Sequence, residues 1–197
     1  MLKRVFDFVF SILGLALLSP ILLIISILIK LDSKGPVLFK QERVGKNNIN
    51  FVIYKFRTMR IQSYKKGLLT IGNHDSRITK IGYFLRRYKI DEFPQLINVV
   101  KGDMSFVGPR PELRHYVNFY SKSDMEIFTV RPGITGLASL KYRNEVELLK
   151  AAKDPEKLFI ETIIPDKLKF NKEYIKEQSF LFDLKLIIQT VFKVISK

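Results

Sequence analysis

The chain has 197 residues, 47% apolar and 27% charged, enough apolar content to bury a core and too much for intrinsic disorder. Thirty-four Lys and Arg against nineteen Asp and Glu give a formal charge of +15, which favours anionic partners: nucleic acid, phosphorylated ligands or an acidic bilayer surface. With no cysteine and only His74 and His115, a disulfide scaffold, a thiolate zinc site, a thiol nucleophile and a multi-histidine metal cage are excluded.

Residues 8–29, FVFSILGLALLSPILLIISILI, form a run of 22 residues without a charge. As a helix the run is ~33 Å long, against ~30 Å of hydrocarbon in a bilayer. It exceeds the apolar core of a signal peptide and no small-residue cleavage site follows it. Hydropathy alone reads it as a single transmembrane helix. Two details favour a re-entrant helix-break-helix instead. Pro20 removes a backbone hydrogen bond near the middle, where Ser19 can satisfy the freed carbonyl. Lys3 and Arg4 before the run and Lys30 and Lys34 after it put both ends on the cytoplasmic side.

The positive charge follows directly. Residues 34–89 hold fourteen Lys and Arg against only Glu42 and Asp75, so +12 of the +15 falls in little more than a quarter of the chain. Within it, DSKGP predicts a turn, and PVLFKQERVG and NFVIYKFRTM, separated by KNNI, predict a β-hairpin. Residues 60–73 predict a loop. Ile78, Ile81, Phe84 and Leu85 then recur at helical spacing, ending in Arg86, Arg87 and Lys89.

DEFPQLINVV predicts a helix with Asp91 as N-cap, Pro94 in its first turn and Gly102 as its stop. VGPRP and VRPGITG read as turn-rich stretches, and helical patterns recur over 145–152 and 165–176. Residues 180–195 predict a last helix with Phe180, Leu184, Ile187, Ile188, Val191 and Ile195 on one face and Asp183, Thr190, Lys193 and Lys197 on another. Its apolar face reads as meeting a protein core, with lipid headgroups as the alternative.

The adjacent carboxylates Asp91 and Glu92 are the leading chemical candidates. At a helix start such a pair stays ionised where phosphate is also attracted. One carboxylate can attack while the other takes a hard cation such as Mg²⁺. Any N-cap Asp followed by a first-turn Glu looks the same, so context matters. Lys55, Arg57, Arg86 and Arg87 lie upstream; Arg110 between Pro109 and Pro111, Arg131 before Pro132, and Arg143 lie downstream. Rigid proline-flanked turns aim a guanidinium, which pairs with phosphate through two parallel hydrogen bonds. Together these features suit phosphoryl chemistry at a bilayer surface. No P-loop, dinucleotide fingerprint, serine-hydrolase elbow or nucleic-acid-binding signature occurs, and the two histidines read as surface or capping residues.

In order, LDSKGPVLFKQERVG, YKFRTM, DSRITKIGYFLRR, DEFPQLINVVKGDMSFVGPRP and VRPGITGLAS resemble the motifs of the bacterial sugar transferase family, the monotopic polyprenyl-phosphate phosphoglycosyl transferases. The resemblance covers nearly the whole chain, and its length resembles that of the minimal members. It implies an α+β, mainly helical fold: a re-entrant membrane helix over residues 1–31, broken at Ser19-Pro20, and a cytoplasmic catalytic domain over 32–197 with a β-hairpin and amphipathic interfacial helices. It implies transfer of a sugar phosphate from a UDP-sugar to polyprenyl (undecaprenyl) phosphate with release of UMP, at the cytoplasmic face of the bacterial inner membrane, as the first membrane step of glycan assembly. By the same resemblance Asp91 would be the nucleophile and form a phosphosugar-aspartyl intermediate, and Glu92 would ligate Mg²⁺. Arg110, within Pro109-Arg110-Pro111, would contact the nucleotide, and Arg57, Arg86 and Arg143 would hold phosphates. Self-association or association with other enzymes of the pathway is a further expectation, and nucleic acid is not an expected partner.

Ser139 in LAS, Tyr142 in YRN and Asn171 in NKEYI depart from the commonest family pattern and bear on the sugar more than on the reaction. The competing reading is a non-enzymatic membrane adaptor whose basic surface binds acidic lipid or a partner.

Overall fold

A computed structural model of the chain describes residues 2–61, 69 and 75–196. Most of the loop expected over 60–73, together with His74, lies outside the described residues.

The apolar run folds as one helix, α1 (Leu2–Asp32), which stays helical through Ser19 and Pro20. The expected break is therefore not an interruption of helical structure. Pro20 has no N–H for the carbonyl four residues back, that of Ala16, and the Ser19 hydroxyl donates to this carbonyl at 2.8 Å. The local defect is thus repaired from within the helix.

One stripe of α1 lies along the rest of the protein. Asp7, Ser11, Ile25 and Ile29 are buried on it, while Leu13, Leu17, Ile21, Leu23, Ile24 and Leu31 are exposed. Both ends are tied down. Near the start, Lys3 forms an ion pair with Asp183, and Arg4 donates to the carbonyls of Val99 and Val100 at 2.6 and 3.0 Å. Asp7 accepts the Phe106 N–H at 3.2 Å. Near the end, Arg57 donates to the carbonyls of Ile29 and Ser33, and Asp32 accepts the Ile81 N–H.

The hairpin forms as expected. β1 (Leu38–Val44) pairs antiparallel with β2 (Asn50–Phe56), in register from Leu38 opposite Phe56 to Val44 opposite Asn50. Asn47 and Asn48 take positive φ in the connection, which Asn tolerates best after Gly. After α2 (Lys80–Arg87), capped by Thr79, the chain reverses at Lys89 in the left-handed region. It then makes a single 3₁₀ turn, Ile90–Glu92, before α3 (Gln95–Lys101), which ends at Gly102 as expected. Asp91 is consequently not an N-cap: it sits inside the turn, because the reversal at Lys89 leaves no extended residue in which a cap could form. Asn98 of α3 fastens the hairpin, accepting the Tyr54 N–H and donating to the Val52 carbonyl.

The first turn-rich stretch, VGPRP, is irregular after Val107 as expected, while the second, VRPGITG, contains a strand. β3 (Ser105–Val107) runs into the first, and beyond α4 (Arg114–Val117) β4 (Gly133–Thr135) lies within the second; the two pair in parallel. Gly108 and Gly133 lie backbone against backbone, with the Gly133 N–H on the Pro109 carbonyl at 2.9 Å. This contact seats the Pro-Arg-Pro turn. Then follow α5 (Leu137–Lys141), α6 (Glu145–Ala151), α7 (Pro155–Leu158), a π-turn at Phe159–Ile163, α8 (Ile164–Glu177) and α9 (Phe180–Ile195).

The apolar face expected for α9 meets the core only in part. Ile187 packs against the Val107, Leu140, Tyr174 and Leu186 cluster and Phe180 and Leu184 are half-buried, whereas Ile188 and Val191 are exposed, as are Leu181 and Phe192 beside them. On the other side Asp183 is buried and Thr190 pairs with the Thr135 hydroxyl at 2.7 Å. The helix is rotated so that one edge of its apolar stripe is covered and the other is left exposed. The main core gathers Tyr116, Phe128, Leu149, Phe159, Ile163 and Leu168, and a smaller cluster joins Ile25 and Ile29 of α1 to Phe56 and Leu85.

A methyl group at Gly133 would fall on the backbone of Gly108 and Thr135, whereas one at Gly14 meets only the tip of Leu96 at 3.3 Å. Gly133→Ala is expected to cost about 3 kcal/mol through forced backbone movement, and Gly14→Ala less than about 1 kcal/mol, since Ala favours the helix. Thermal midpoints of the detergent-solubilised variants should separate the two.

Candidate active site

Three segments remote in sequence meet at the Ile90–Glu92 turn. Glu92 projects toward the Pro-Arg-Pro turn and the second hairpin strand. Both terminal nitrogens of Arg110 engage it, Nη1 at 3.1 Å from Oε2 and Nη2 on Oε1. Lys55 Nζ adds a third contact at 3.1 Å to Oε1. Buried charges of this kind persist only when paired and hydrogen-bonded.

Asp91 next to it is treated differently. It is 8% exposed, and its Oδ1 is buried without a hydrogen-bond partner. Burial first, and the neighbouring Glu92 charge second, push its carboxyl above the ordinary value of 3.8. Lys55, Lys89 and Arg86 pull the other way without overcoming these effects. For Glu92 burial acts upward too, but Arg110 and Lys55 outweigh it and hold the carboxyl well below 4.5. Burial likewise pushes the Lys55 ammonium down to about 8, with Glu92 opposing. Two adjacent carboxylates therefore have opposite proton affinities because only one has been given cations to touch.

The site draws in Asp91, Glu92 and Arg110, with Pro109 and Pro111 fixing the turn. Arg43 Nη1 donates to the Pro111 carbonyl at 3.2 Å. The guanidinium of Arg86, at the end of α2, makes no hydrogen bond among the described residues, and after burial the Asp91 charge is the largest influence on it. Arg143, between α5 and α6, also makes no hydrogen bond or ion pair among the described residues. Arg57 sits apart from this cluster, its guanidinium on the C-terminal end of α1 and in space left open by Gly35. His115 is exposed on α4, facing Glu156.

Lys55 was visible only as one of many upstream cations. Its place could have been read from the alternation of the second strand, which puts it opposite Phe39 with Ile53 on the same side. A buried group comprising Arg43, Glu112, Glu145 and Lys167 stands behind Arg110, and no motif pointed to its members.

Among the described residues no three acidic or histidine side chains gather into a metal cage. Mg²⁺ needs less than a cage. It keeps several waters and takes one or two carboxylates plus substrate phosphates. The unpartnered Asp91 Oδ1 beside the Glu92 carboxylate fits that limited demand.

Residues 1–197 match the family model described as bacterial sugar transferase. The UDP-glucose:undecaprenyl-phosphate glucose-1-phosphate transferase of Escherichia coli (strain K12) is 39% identical over 197 residues, 98% of this chain and 40% of its own length. The UDP-N-acetylgalactosamine-undecaprenyl-phosphate N-acetylgalactosaminephosphotransferase of Aeromonas hydrophila is 37% identical over 198 residues, 99% of this chain and 44% of its own length. The chain thus spans about two fifths of these two relatives. A sugar transferase of Bacillus subtilis (strain 168), EpsL, is 38% identical over 194 residues, 98% of this chain and 87% of its own length.

The carboxylates should respond oppositely to neutralisation. Asp91, with a raised folded pKa, withholds stability above its unfolded value, so Asp91→Asn should raise the melting midpoint at pH 7. That gain should shrink as pH falls through the folded pKa toward 3.8, where both states are protonated. Glu92, with a lowered folded pKa, contributes stability above 4.5 that is lost as pH falls through the folded value. Glu92→Gln should therefore cost about 3 kcal/mol at pH 7, the scale of one partner removed from a buried pair. Melting curves from pH 3 to 8 would check both signs.

Proposed function

The chain belongs to the bacterial sugar transferase family, and from that premise we propose that it moves a sugar 1-phosphate from a UDP-sugar to a polyprenyl phosphate of the undecaprenyl kind, releasing UMP. The two relatives with the fullest names differ in the sugar, glucose or N-acetylgalactosamine, and share the UDP donor and the undecaprenyl phosphate acceptor. The proposal therefore commits to those shared parts.

The observation that carries the reading is the unpartnered buried oxygen of Asp91, beside a Glu92 held by Arg110 and Lys55. Asp91 attacks the phosphorus that bears the sugar, a new carboxylate–phosphorus bond forms, and the bond to the bridging oxygen breaks with UMP as leaving group. An oxygen of the polyprenyl phosphate then attacks the same phosphorus. The Asp91 carboxylate leaves, and the product is a polyprenyl diphosphate sugar. A raised proton affinity suits a carboxylate nucleophile, because basicity and nucleophilicity rise together. Arg110, Arg86 and Arg143 hold phosphate oxygens, and Pro109 and Pro111 restrict where Arg110 can aim. Glu92 would hold Mg²⁺, which when bound would compensate charge on the diphosphate.

The same proposal places the protein on one leaflet, with α1 dipping into the cytoplasmic face of the inner membrane and residues 32–197 as the catalytic domain. Support comes from the ties at both ends of α1: Lys3, Arg4 and Asp7 at one, Asp32 and Ser33 at the other, all to the same body. A helix so tied has no free end to place beyond ~30 Å of hydrocarbon. Exposed Leu181, Ile188, Val191 and Phe192 make α9 a second lipid contact, flanked by Lys185 and Lys193.

Purified protein with Mg²⁺, undecaprenyl phosphate and a panel of UDP-sugars should release UMP, and without acceptor should gain a phosphosugar mass on the peptide bearing Asp91. Asp91→Asn should lower turnover by at least about 10³-fold. Full turnover in that variant would refute the covalent route, and lipid binding without UMP release from any donor would favour the adaptor. Labels at both termini should react from the cytoplasmic side only.

A further inference from the structure

The buried group behind Arg110 has no part in the chemistry above, yet it joins the two loops that carry proposed phosphate-binding arginines. Lys167, in the first turn of α8, is 6% exposed. Its Nζ lies 3.0 Å from Glu112 Oε1 and 3.0 Å from Glu145 Oε2, and 5.3 Å from the centroid of the Phe159 ring. Glu112 directly follows the Pro-Arg-Pro turn, and its backbone carbonyl accepts the Val44 N–H at 3.0 Å. Glu145 lies two residues past Arg143. On the other side of Arg143, the Tyr142 hydroxyl donates to Asp166, the neighbour of Lys167, at 2.6 Å. One helical turn thus grips the chain on both sides of Arg143 and, through Glu112, the turn that aims Arg110.

We propose that Lys167 is a positioning residue for the donor diphosphate, setting the Arg110 turn and the Arg143 loop at a fixed separation by bridging Glu112 and Glu145. The inference rests on the reading that these two arginines meet the donor's phosphates. A buried ammonium between two carboxylates is a poor way to gain stability, because well-packed apolar side chains of similar volume do as well or better. It is a good way to fix distance: each contact is directional, and Lys167 is the cation that Glu112 and Glu145 share. Arg43 completes the clamp, 3.6 Å from Glu112 and hydrogen-bonded to the Pro111 carbonyl. Arg143 itself makes no hydrogen bond or ion pair among the described residues, so its aim depends on the backbone that carries it.

The test is a double-mutant cycle on the full chain in detergent, with UDP as the binding probe and UMP release as the activity. Lys167→Met should weaken UDP binding and raise the donor KM by between about 10-fold and 100-fold, the scale of an ångström of misplacement. The change in kcat should be smaller. In an Arg143→Ala background the same substitution should cost less, because one of the two arginines whose separation it sets is gone. A merely structural role would multiply the two losses instead, and multiplicative losses, or Lys167→Met with unchanged donor KM, would overturn the proposal. If Lys167→Met does not fold, Glu145→Gln keeps the Lys167–Glu112 pair and should show the same non-additivity with Arg143→Ala; multiplicative losses there would equally overturn it. Wild-type protein that neither binds UDP nor releases UMP would refute the functional reading, whereas active wild type with a multiplicative cycle would refute this inference alone.

Discussion

Glu92 is the point at which the catalytic half of the molecule is joined. Its two oxygens collect Arg110 from the Pro-Arg-Pro turn and Lys55 from the hairpin, while its backbone belongs to the turn between α2 and α3. Apolar clusters join the hairpin to the turn and to α3, Phe56 with Leu85 and Ile90 and Ile53 with Val99 and Met104, and the charges on Glu92 add the Pro-Arg-Pro turn. Ion pairs removed from water gain little net stability, but they are costly to break from one side, on the order of 3–5 kcal/mol. The arrangement is therefore specific more than strong. It also fixes the state of its neighbour: with both cations committed to Glu92, Asp91 is buried beside a like charge with an oxygen that no donor reaches. The reactivity proposed for Asp91 is a by-product of how Glu92 is satisfied.

A second constraint sets where this site stands relative to lipid. In α1 and α9 several polar side chains, Asp7, Ser11, Asp183 and Thr190, face inward beside Ile25, Ile29 and Leu186, while many large apolar side chains face out. A soluble helix packs the other way round. The two helices meet where Lys3 pairs with Asp183 and where Phe6 stacks edge-on against Phe180, so their outward faces adjoin. Arg4 reaches from α1 to the carbonyl end of α3, and Gly14 admits the Leu96 side chain at close range. The turn carrying Asp91 and Glu92 leads directly into α3, so the packing of α3 on α1 ties the acidic pair to the apolar surface. The proposed lipid phosphate and nucleotide donor would meet at that height.

Much of this was legible in the sequence. Alternation gave the hairpin with its boundaries nearly right, and Ser19 was identified as the donor that relieves Pro20. The acidic pair and Arg110 stood out because proline-flanked arginines and adjacent carboxylates are local patterns. What failed was whatever depends on packing between remote segments. Asp91 looked like an N-cap because cap and tight turn share residue preferences, and only the left-handed Lys89 separates them. The short parallel strands were hidden in Gly-Pro turns, since three residues carry no periodicity. The apolar face of α9 met the core only at one edge, Ile187, with Ile188 and Val191 left exposed, because hydrophobic periodicity locates an apolar stripe without saying whether protein or lipid receives it. Lys167 had no signal at all: a buried lysine and a solvated one are the same letter, and what distinguishes it are carboxylates 22 and 55 residues away.

The net charge acquires a different meaning once its members are placed. Around the acidic pair, Lys55, Arg86, Lys89 and Arg110 face Asp91 and Glu92, a balance of two positive charges; adding Arg43 and Lys167 against Glu112 and Glu145 leaves it unchanged. The large positive excess of +15 therefore lies mostly outside the site, where it can raise the local concentration of an anionic donor and hold the protein to an anionic leaflet. Inside, near-neutrality matters more. A cluster strongly positive at Asp91 would hold that carboxylate in a deep ion pair and bind the diphosphate so well in its ground state that little of the interaction remained for the transition state. Separating a long-range field from a nearly balanced interior lets one chain attract a polyanion without quenching the carboxylate proposed to attack it.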